Sequence, residues 1–451
     1  MDSRTHRIWG ALLIILVCVA LCTAVLEPST TPTIISAALF IIIAAKFWVF
    51  LEGVDTLSKP EHWGTRPNSE VTSSLPHATA VILAYLPNEQ HIICATVRHF
   101  LMTIRCQALA EIILVYNSAE HLPVERELEN LAQADSRLTL LKVREARSKA
   151  ENLNAVMDVI TTPIVGFFDA DSQPSADCFD RASDWLVNGY DFVQGSNRIR
   201  PRAAFLNLIV AIEYLVKYNV SYVARYRALG VTYFTGSNGY WRTDVVRQLR
   251  ARVSAQVEDI DMAIRAILAG RRLAYDPGIT ASEQSPPGLC AWWHQRVRWA
   301  QGWAQLLNWH QVEVIRSGLA FGTKCAWTFF LLGRRLLVPV ACFVLLPISL
   351  LQGIAGAPIT ACETASFGSL IAIQFVAGWL SVAVLLRSSS FRSSGDPPLA
   401  MLLLYAIVFP MYDAVRDLSI LRGSVALLRD PVFWRVTPRD IKITEEQSDG
   451  K

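Results

Sequence analysis

Charge is scarce in this chain. Only 18% of its 451 residues are Asp, Glu, Lys or Arg, against about a quarter in ordinary globular proteins. The formal net charge is +3, with no dense basic stripe to neutralise a phosphate backbone, which argues against nucleic acid as a partner. The nine cysteines are scattered and form no C-x-x-C pair. That excludes a disulfide framework and a zinc site, and leaves reduced thiols serving as small hydrophobes. A sustained heptad is also missing, and the apolar content is too high for disorder or a collagen-like repeat.

What the chain has is apolar residues: 52% of the total, with a mean hydropathy of +0.31. They concentrate at the two ends. Trp9 to Leu26 and Thr33 to Leu51 read as two membrane spans, each near the roughly 20 residues that a bilayer core requires. A signal peptide is the alternative for the first, but no clear small-residue cleavage site follows it. Arg4 and Arg7 before this hairpin, and Lys59 and Arg66 after it, place both flanks on the cytoplasmic side. Three later runs, Leu336 to Ile354, Gly368 to Leu386 and Leu399 to Val415, read as further spans. Tyr412 to Leu428 would complete a sixth crossing but carries Asp413, Arg416, Asp417 and Arg422, so an interfacial or channel-lining helix is the better expectation. Phe205 to Val223 is apolar yet holds Asn207, Glu213, Lys217 and Asn219, and is expected to pack on the soluble block instead.

Between about Ala78 and His310 the pattern alternates. Ala80–Leu86, Glu111–Tyr116, Leu138–Val143 and Ile164–Phe168 read as strands, with helices expected over Glu89–Ile104, Val124–Gln133 and Lys149–Ile160. This alternation predicts an α/β, Rossmann-like and mostly parallel sheet, which binds ligands at the carboxyl ends of its strands. The resulting organisation is an N-terminal hairpin (9–51), a catalytic domain with interface helices (78–310), an interface segment (311–335), a membrane region (336–428) and a cytoplasmic tail (429–451).

Four segments at or beyond the strand ends carry chemistry. The first strand ends in Leu86-Pro87-Asn88-Glu89 and runs into a helix whose N–H groups could hold a nucleotide. The fourth ends in Asp169-Ala170-Asp171. On a strand, carboxylates at i and i+2 face one side and suit a divalent cation bridging to a diphosphate, although Asp-Ser-Gln-Pro is also ordinary turn chemistry. Glu258, Asp259 and Asp261 surround the start of a helix expected over Ile260–Ala269, where acids are also simple dipole partners. Last, Gln295, Arg298 and Trp299 share one helix face at i, i+3 and i+4, a pattern that an interfacial membrane helix would also show. Together the pieces describe transfer from a nucleotide sugar. Asp169 and Asp171 hold Mg2+ or Mn2+ against the leaving diphosphate, Arg298 is a second cation, Asp259 is the general base, and Trp299 stacks on a sugar ring.

At these residues the sequence resembles the membrane-integrated, processive family-2 glycosyltransferases: cellulose, hyaluronan and chitin synthases. Asp169-x-Asp171, Glu258-Asp259 in the family's T-E-D position and Gln295-Arg296-x-Arg298-Trp299 as its Q-x-x-R-W signature occur in the family's order. Lys149-Ala150-x-x-Leu153-Asn154 resembles its K-A-x-x-L-N segment near the donor, and Gly236-Ser237-Asn238 its acceptor-side loop. Trp434-Arg435-Val436-Thr437-Pro438-Arg439 resembles the gating loop of cellulose synthases, in Trp434, Thr437 and Arg439, with a basic solvated tail as the alternative. The resemblance implies a GT-A-like domain on the cytoplasmic face of the cell membrane and inverting transfer from a UDP-sugar, with UDP-glucose the leading donor. It also implies a growing β-linked polysaccharide extruded through the bilayer-embedded part, with an envelope or export partner a further option.

Two departures stand out. Asn117 occupies the place of the Asp that usually reads uracil, which loosens the assignment of UDP, and Val257 replaces the Thr of T-E-D. Two other functional readings remain open at this stage. One is a non-processive transferase adding a single sugar to a lipid or glycan; the other is a non-catalytic transport subunit.

Overall fold

The computed structural model describes residues 76–200, 204–338, 361–387 and 397–429, with a few isolated positions beside them. Nearly all of the expected N-terminal hairpin, most of Leu336 to Ile354, and the Trp434–Arg439 loop lie outside the described residues. The chain divides into two compact units, and the division falls between Trp292 and Trp293 rather than near residue 310.

The unit that holds Lys59–Trp292 is built on one eight-stranded sheet. Its strands are β1 (Ala78–Tyr85), β2 (Leu109–Asn117), β3 (Leu138–Lys142), β4 (Ile164–Asp169), β5 (Gln173–Pro174), β6 (Phe192–Ile199), β7 (Gly239–Arg242) and β8 (Leu273–Glu283), in the order β3-β2-β1-β4-β7-β6-β8-β5. The expectation of a mostly parallel sheet holds for six of the eight strands, with β7 and β5 reversed. The β3-β2-β1-β4 half is parallel, as its βα alternation predicts, but β7 runs antiparallel to both β4 and β6, and β5 antiparallel to β8. The sheet is mixed. β7 is only four residues long and is entered from a loop rather than from a crossover helix, so nothing forces it parallel.

The helices are α1 (Leu86–Glu89), α2 (Ile93–Met102), α3 (Pro123–Ala134), α4 (Lys149–Val156), α5 (Cys178–Val187), α6 (Phe205–Val216), α7 (Tyr222–Leu229), α8 (Thr243–Leu249) and α9 (Glu258–Leu268). A five-residue π turn, Lys217–Ser221, joins α6 to α7. The expected packing of this apolar segment on the soluble block is observed, since Asn207 donates to Ser285 Oγ at 2.7 Å and the Tyr275 hydroxyl donates to Tyr218 O. β1, apolar but for Thr79, is buried from Ala78 to Ala84, as a central strand covered on both faces must be.

In the core, Phe168 meets Phe100, Tyr240 and Phe179 at centroid distances of 4.9, 5.7 and 5.9 Å. The cluster explains Gly166, where a Cβ would stand 2.9 Å from the Phe179 ring.

The second unit contains most of α10 (Leu289–Arg316), then α11 (Phe321–Thr328), a π stretch over Phe329–Leu337, α12 (Ala361–Arg387) and α13 (Leu399–Arg429). Two sequence expectations merge here: Leu399–Val415 and the proposed sixth crossing at Tyr412–Leu428 are one continuous 31-residue helix, with Pro410 inside it. Among the described residues, one helix, Leu399–Ala426, is long and apolar enough to cross a membrane. Three of its four charges are sheltered within the protein, while Arg422 near its end is exposed. Asp413 and Asp417 are buried, Arg416 pairs with Asp413, and Gln374 of α12 donates to Asp413.

Phe168→Ala should reveal what the aromatic cluster contributes. The fully buried ring is expected to take about 3–5 kcal/mol of stability with it, read as a lower denaturation midpoint of the detergent-solubilised chain. An unchanged midpoint would contradict the cluster's role.

Candidate active site

The order reversal of the parallel half lies at β1, flanked by β2 and β4, and the site forms where the carboxyl ends of β1 and β4 meet. Register places Leu83 beside Asp169. The antiparallel entry of β7 then matters, because Gly239 pairs with Phe167 and the loop Gly236–Asn238 is thereby laid against the end of β4. Asp169 N–H donates to Ser237 Oγ at 3.2 Å and fixes that contact.

Lys149 is delivered from the other side. Ser148 caps α4, its Oγ accepting from Glu151 N–H while Glu151 accepts from Ser148 N–H, so the helix start is fixed and Lys149 is its first residue. The Lys149 ammonium donates to Asp169 and, at 2.8 Å, to the carbonyl of Gly236. Burial works against its charge, but Asp169, Glu258 and Asp259 outweigh that penalty and hold its pKa above the ordinary lysine value. Asn154, five residues on, exchanges hydrogen bonds with the backbone of Ala251 at 2.8 and 2.9 Å. The two polar residues of the K-A-x-x-L-N segment thus do different things: Lys149 enters the site, and Asn154 ties α4 to the chain leading into α9.

α9 begins at Glu258, two residues earlier than expected, so both acids lie in its first turn. Asp261 faces inward, pairing with Arg252 and Arg265 at 3.1 and 2.8 Å, and anchors the helix. Asp259 faces the site. A Cβ on Gly236 would lie 3.0 Å from Asp259 Oδ2 and 3.3 Å from Lys149 Nζ. With φ at +88°, the position demands glycine on conformational grounds as well. Burial first, then the neighbouring Glu258, push Asp259 up to about 7, against the lowering effect of Lys149.

The two aspartates do not share a strand face. β4 ends at Asp169, and Asp171 lies in the turn beyond it, closed by Ser172 N–H donating to Asp169 O. Asp-Ser-Gln-Pro acts as turn chemistry while both carboxylates stay at the same end of the sheet. Asp171 is buried and accepts from Gln284 N–H at 2.9 Å; Asp169 is about one-third exposed. Among the described residues no group of three or more His, Cys, Asp or Glu side chains is gathered as a metal site. The two carboxylates, of which Asp169 is partly exposed, are the hard oxygen donors that a Mg2+ or Mn2+ ion takes, its remaining ligands coming from phosphate and water.

Other expected residues fall elsewhere. Asn117 is buried, donating to Ala146 O at 2.8 Å and accepting from Asn152 at 2.9 Å, so its amide joins chain segments within the fold. Asn238 is fully buried with φ +53°, and its amide donates to Ser196 O and Ile279 O. It shapes the loop from behind, whereas Gly236 and Ser237 face Lys149 and Asp169. Leu86 is buried, and Glu89 accepts from Tyr85 N–H at 2.8 Å, closing the turn after β1 with Asn88 at its partly exposed side. Gln295, Arg298 and Trp299 lie on α10 in the second unit, where the Arg296 guanidinium stacks 4.5 Å from the Trp299 ring.

Sequence reasoning missed Glu283 and Lys217. β5 pairs with the end of β8, which carries Glu283 to the acidic turn. Burial, then Asp171 and Asp169, push Glu283 up to about 8, opposed by Lys217 and a hydrogen bond from Tyr214. Lys217 opens the π turn, its ammonium 5.3, 4.6 and 5.5 Å from the rings of Tyr214, Tyr218 and Tyr222. The available signal was the lysine inside an apolar helix, which the sequence used only to argue against a membrane span.

A family model described as glycosyl transferase family group 2 matches residues 164–355. The chain is 26% identical over 258 residues to a probable glucomannan 4-beta-mannosyltransferase 4 of Oryza sativa subsp. japonica, covering 51% of this chain and 44% of that one. It is 28% identical over 157 residues to a glucomannan 4-beta-mannosyltransferase 1 of the same organism, covering 34% and 30%. The matches thus span less than half the length of these curated relatives. Among solved structures, the fold is similar to that of a mannosyltransferase from Pyrobaculum calidifontis in complex with GDP-Man and Mn2+. That likeness has a TM-score of 0.54 at 20% identity, over 88% of this chain and all of the other. A GT-A-like mixed sheet, with acids and a lysine gathered at its switch point, thus accompanies a match to the family-2 glycosyltransferases over residues 164–355 and a similarity to the glucomannan mannosyltransferases.

Proposed function

We propose that the chain elongates a β-linked glycan by inverting transfer of a hexose from a nucleoside-diphosphate sugar, with GDP-mannose as the donor. The observation that carries the reading is the convergence of Asp259 and Lys149 on Gly236, with Asp169 bound to the same ammonium. The mannosyl donor is supported by the named activities of the relatives and by the donor named for the fold neighbour. It replaces UDP-glucose, for which the Gln295–Trp299 signature alone spoke. With Asn117 engaged inside the fold, no residue here argues specifically for uracil.

In this reading the acceptor hydroxyl approaches Asp259, which the missing side chain at Gly236 allows to lie close against the loop. Asp259 takes the hydroxyl proton as the oxygen attacks the anomeric carbon, opposite the departing diphosphate. A carboxylate whose pKa lies near neutrality is a fitting base, since it is largely ionised above pH 7 yet still basic enough to accept a proton. Lys149 is oriented toward the donor side and balances the charge of Asp169. Asp169 and Asp171 would hold Mg2+ or Mn2+, which when bound stabilises the leaving diphosphate. Gln295, Arg298 and Trp299 take the family's donor and acceptor roles. The catalytic unit faces the cytoplasm, and the product crosses the cell membrane beside helices such as Leu399–Ala426.

Three outcomes follow. Membranes containing the protein, given Mn2+ and a panel of labelled nucleotide sugars, should incorporate mannose from GDP-mannose into a polymer cleaved by β-mannanase. Incorporation of glucose alone would overturn the donor assignment, and a singly glycosylated lipid would overturn elongation. Asp259→Asn should lower turnover by about 10²–10⁴-fold while donor affinity, measured by equilibrium binding, stays within a few-fold. An active Asn variant would remove Asp259 as the base. Because the base must be ionised, kcat/KM should rise with pH through the region near 7 and then level off. Glu258→Gln removes a neighbouring negative charge and should move that limb to lower pH; a limb that stays in place would show that Glu258 does not set the base.

A further inference from the structure

Two thiols lie together at the start of α5. Cys106 lies in the loop leading into β2 and is partly exposed; Cys178 is the first residue of α5 and is fully buried. The Cys106 sulfur lies against the start of α5, between Ala176 O and Phe179 N–H on either side of Cys178, and each thiol acts on the other electrostatically. Cys106 Sγ donates to Ala176 O at 2.9 Å and accepts from Phe179 N–H at 3.3 Å. Its surroundings favour the thiolate: the Cys178 thiol foremost, and the Asp180 and Phe179 N–H groups, outweigh burial and hold its pKa below the usual thiol range. Burial pushes Cys178 the other way, well above that range. One partly accessible, nucleophilic sulfur thus lies beside one shielded and protonated sulfur, the arrangement of an attacking and a resolving cysteine. Cys94, in contrast, is pushed up to about 12, mainly by burial.

The pair also connects to the loop at the site. Tyr240 packs on Phe179, the residue after Cys178, with ring centroids 5.1 Å apart, and its hydroxyl, an electrostatic neighbour of the Cys178 thiol, donates to Asn238 Oδ1 at 3.0 Å. Asn238, held at φ +53°, clamps Ser196 O and Ile279 O, both at 3.1 Å, two residues from the carbonyl that binds Lys149. On the same side of the sheet, Thr96 donates to Ala170 O and Cys106 to Ala176 O, so the segment after the acidic turn is held from α2 and from the Cys106 loop.

We propose that Cys106 and Cys178 form a reversible disulfide, a redox modification site whose oxidation is transmitted through Tyr240 and Asn238 to the Gly236 loop. The oxidant is a hydroperoxide. The Cys106 thiolate attacks its terminal oxygen, the O–O bond breaks, and an alcohol (water, from hydrogen peroxide) leaves after protonation. The resulting sulfenic acid is attacked by the Cys178 sulfur, which forms the S–S bond and releases water. Two thiols and one hydroperoxide give one disulfide, one alcohol and one water. The two electrons lost by the sulfurs reduce the O–O bond. Oxidation removes the Cys178 thiol proton and draws the sulfur toward Cys106, withdrawing an electrostatic neighbour from Tyr240.

The test uses the full chain in detergent, exposed to a few equivalents of hydrogen peroxide, blocked with N-ethylmaleimide, digested and mapped by mass spectrometry. A peptide joining Cys106 to Cys178, lighter by two hydrogens than its parts, is expected; dithiothreitol should remove it, and Cys106→Ser should prevent it. Hydrogen exchange at the amides of Thr235–Asn238 should differ several-fold between the oxidised and reduced forms, and this difference should vanish in Cys106→Ser. Two alkylated thiols after oxidation, or Cys106 driven on to sulfinic acid without a linked peptide, would overturn the site. A linked peptide with unchanged exchange at the loop would overturn the transmission. Mass and exchange are read without turnover, so both results stand apart from the assignment of the donor.

Discussion

The Lys149 ammonium holds the site together. It joins Asp169, 20 residues away, to the Gly236 carbonyl, 87 residues away, and so ties α4, β4 and the loop before β7 at one point. A buried cation is costly to desolvate, and the cost is offset only where anions and carbonyl oxygens surround it. Here the anions are the residues to which the chemistry is assigned. Lys149 also stands at the positive end of a helix, where a cation is disfavoured. The capping of α4 by Ser148 and Glu151 keeps it there, because a fixed helix start leaves the side chain one direction in which to reach the acids. Lysine, glycine and acid therefore specify one another: without Asp169 the ammonium loses its partner, and without a glycine at 236 neither Lys149 nor Asp259 could approach the loop so closely.

The mixed sheet makes this possible. A fully parallel sheet gathers ligand-binding loops at its carboxyl edge, but each must follow a strand. β7 reverses direction, so the loop that precedes it, rather than the one that follows, is brought to that edge. The same device operates with β5, whose antiparallel pairing to β8 places Glu283 and Gln284 against the acidic turn. Segments far apart in sequence thus converge through two reversed strands of four and two residues, at little cost in regular structure.

The parallel half of the fold was legible in the sequence because apolar β-branched runs alternate with helical segments, and their limits were read to within a few residues. The reversed strands were not legible: Gln173–Pro174 and Gly239–Arg242 are too short to carry a period, and their direction is set by partners rather than by local pattern. Within the site, residues in recognisable order were found. Lys149, Asp169, Gly236 and Asp259 do meet, as their resemblance to one family implied. Asn117 and Asn238 show the limit of that reading, since a polar residue in a motif can serve the fold from inside. Glu283 could not be read from its neighbours. Nothing around Ser282-Glu283-Gln284 marks it locally, and only the β5–β8 pairing gives it its surroundings.

With Glu283 included, the end of the sheet carries Asp169, Asp171, Glu258, Asp259 and Glu283 against Lys149 and Lys217. Carboxylates outnumber ammonium groups there, and burial first, with the neighbouring carboxylates after it, pushes Asp259 and Glu283 above the ordinary carboxylate range. Such a pocket is electrostatically incomplete by itself. A diphosphate arriving alone would add negative charge to it, whereas a divalent cation arriving with the diphosphate would relieve the repulsion it meets. The proposed chemistry and the protein's own electrostatics therefore point in the same direction. In the proposed mechanism, the arrangement that makes Asp259 basic near neutrality would also favour a metal-bound donor over a bare one, so that base and leaving group would be prepared by one distribution of charge.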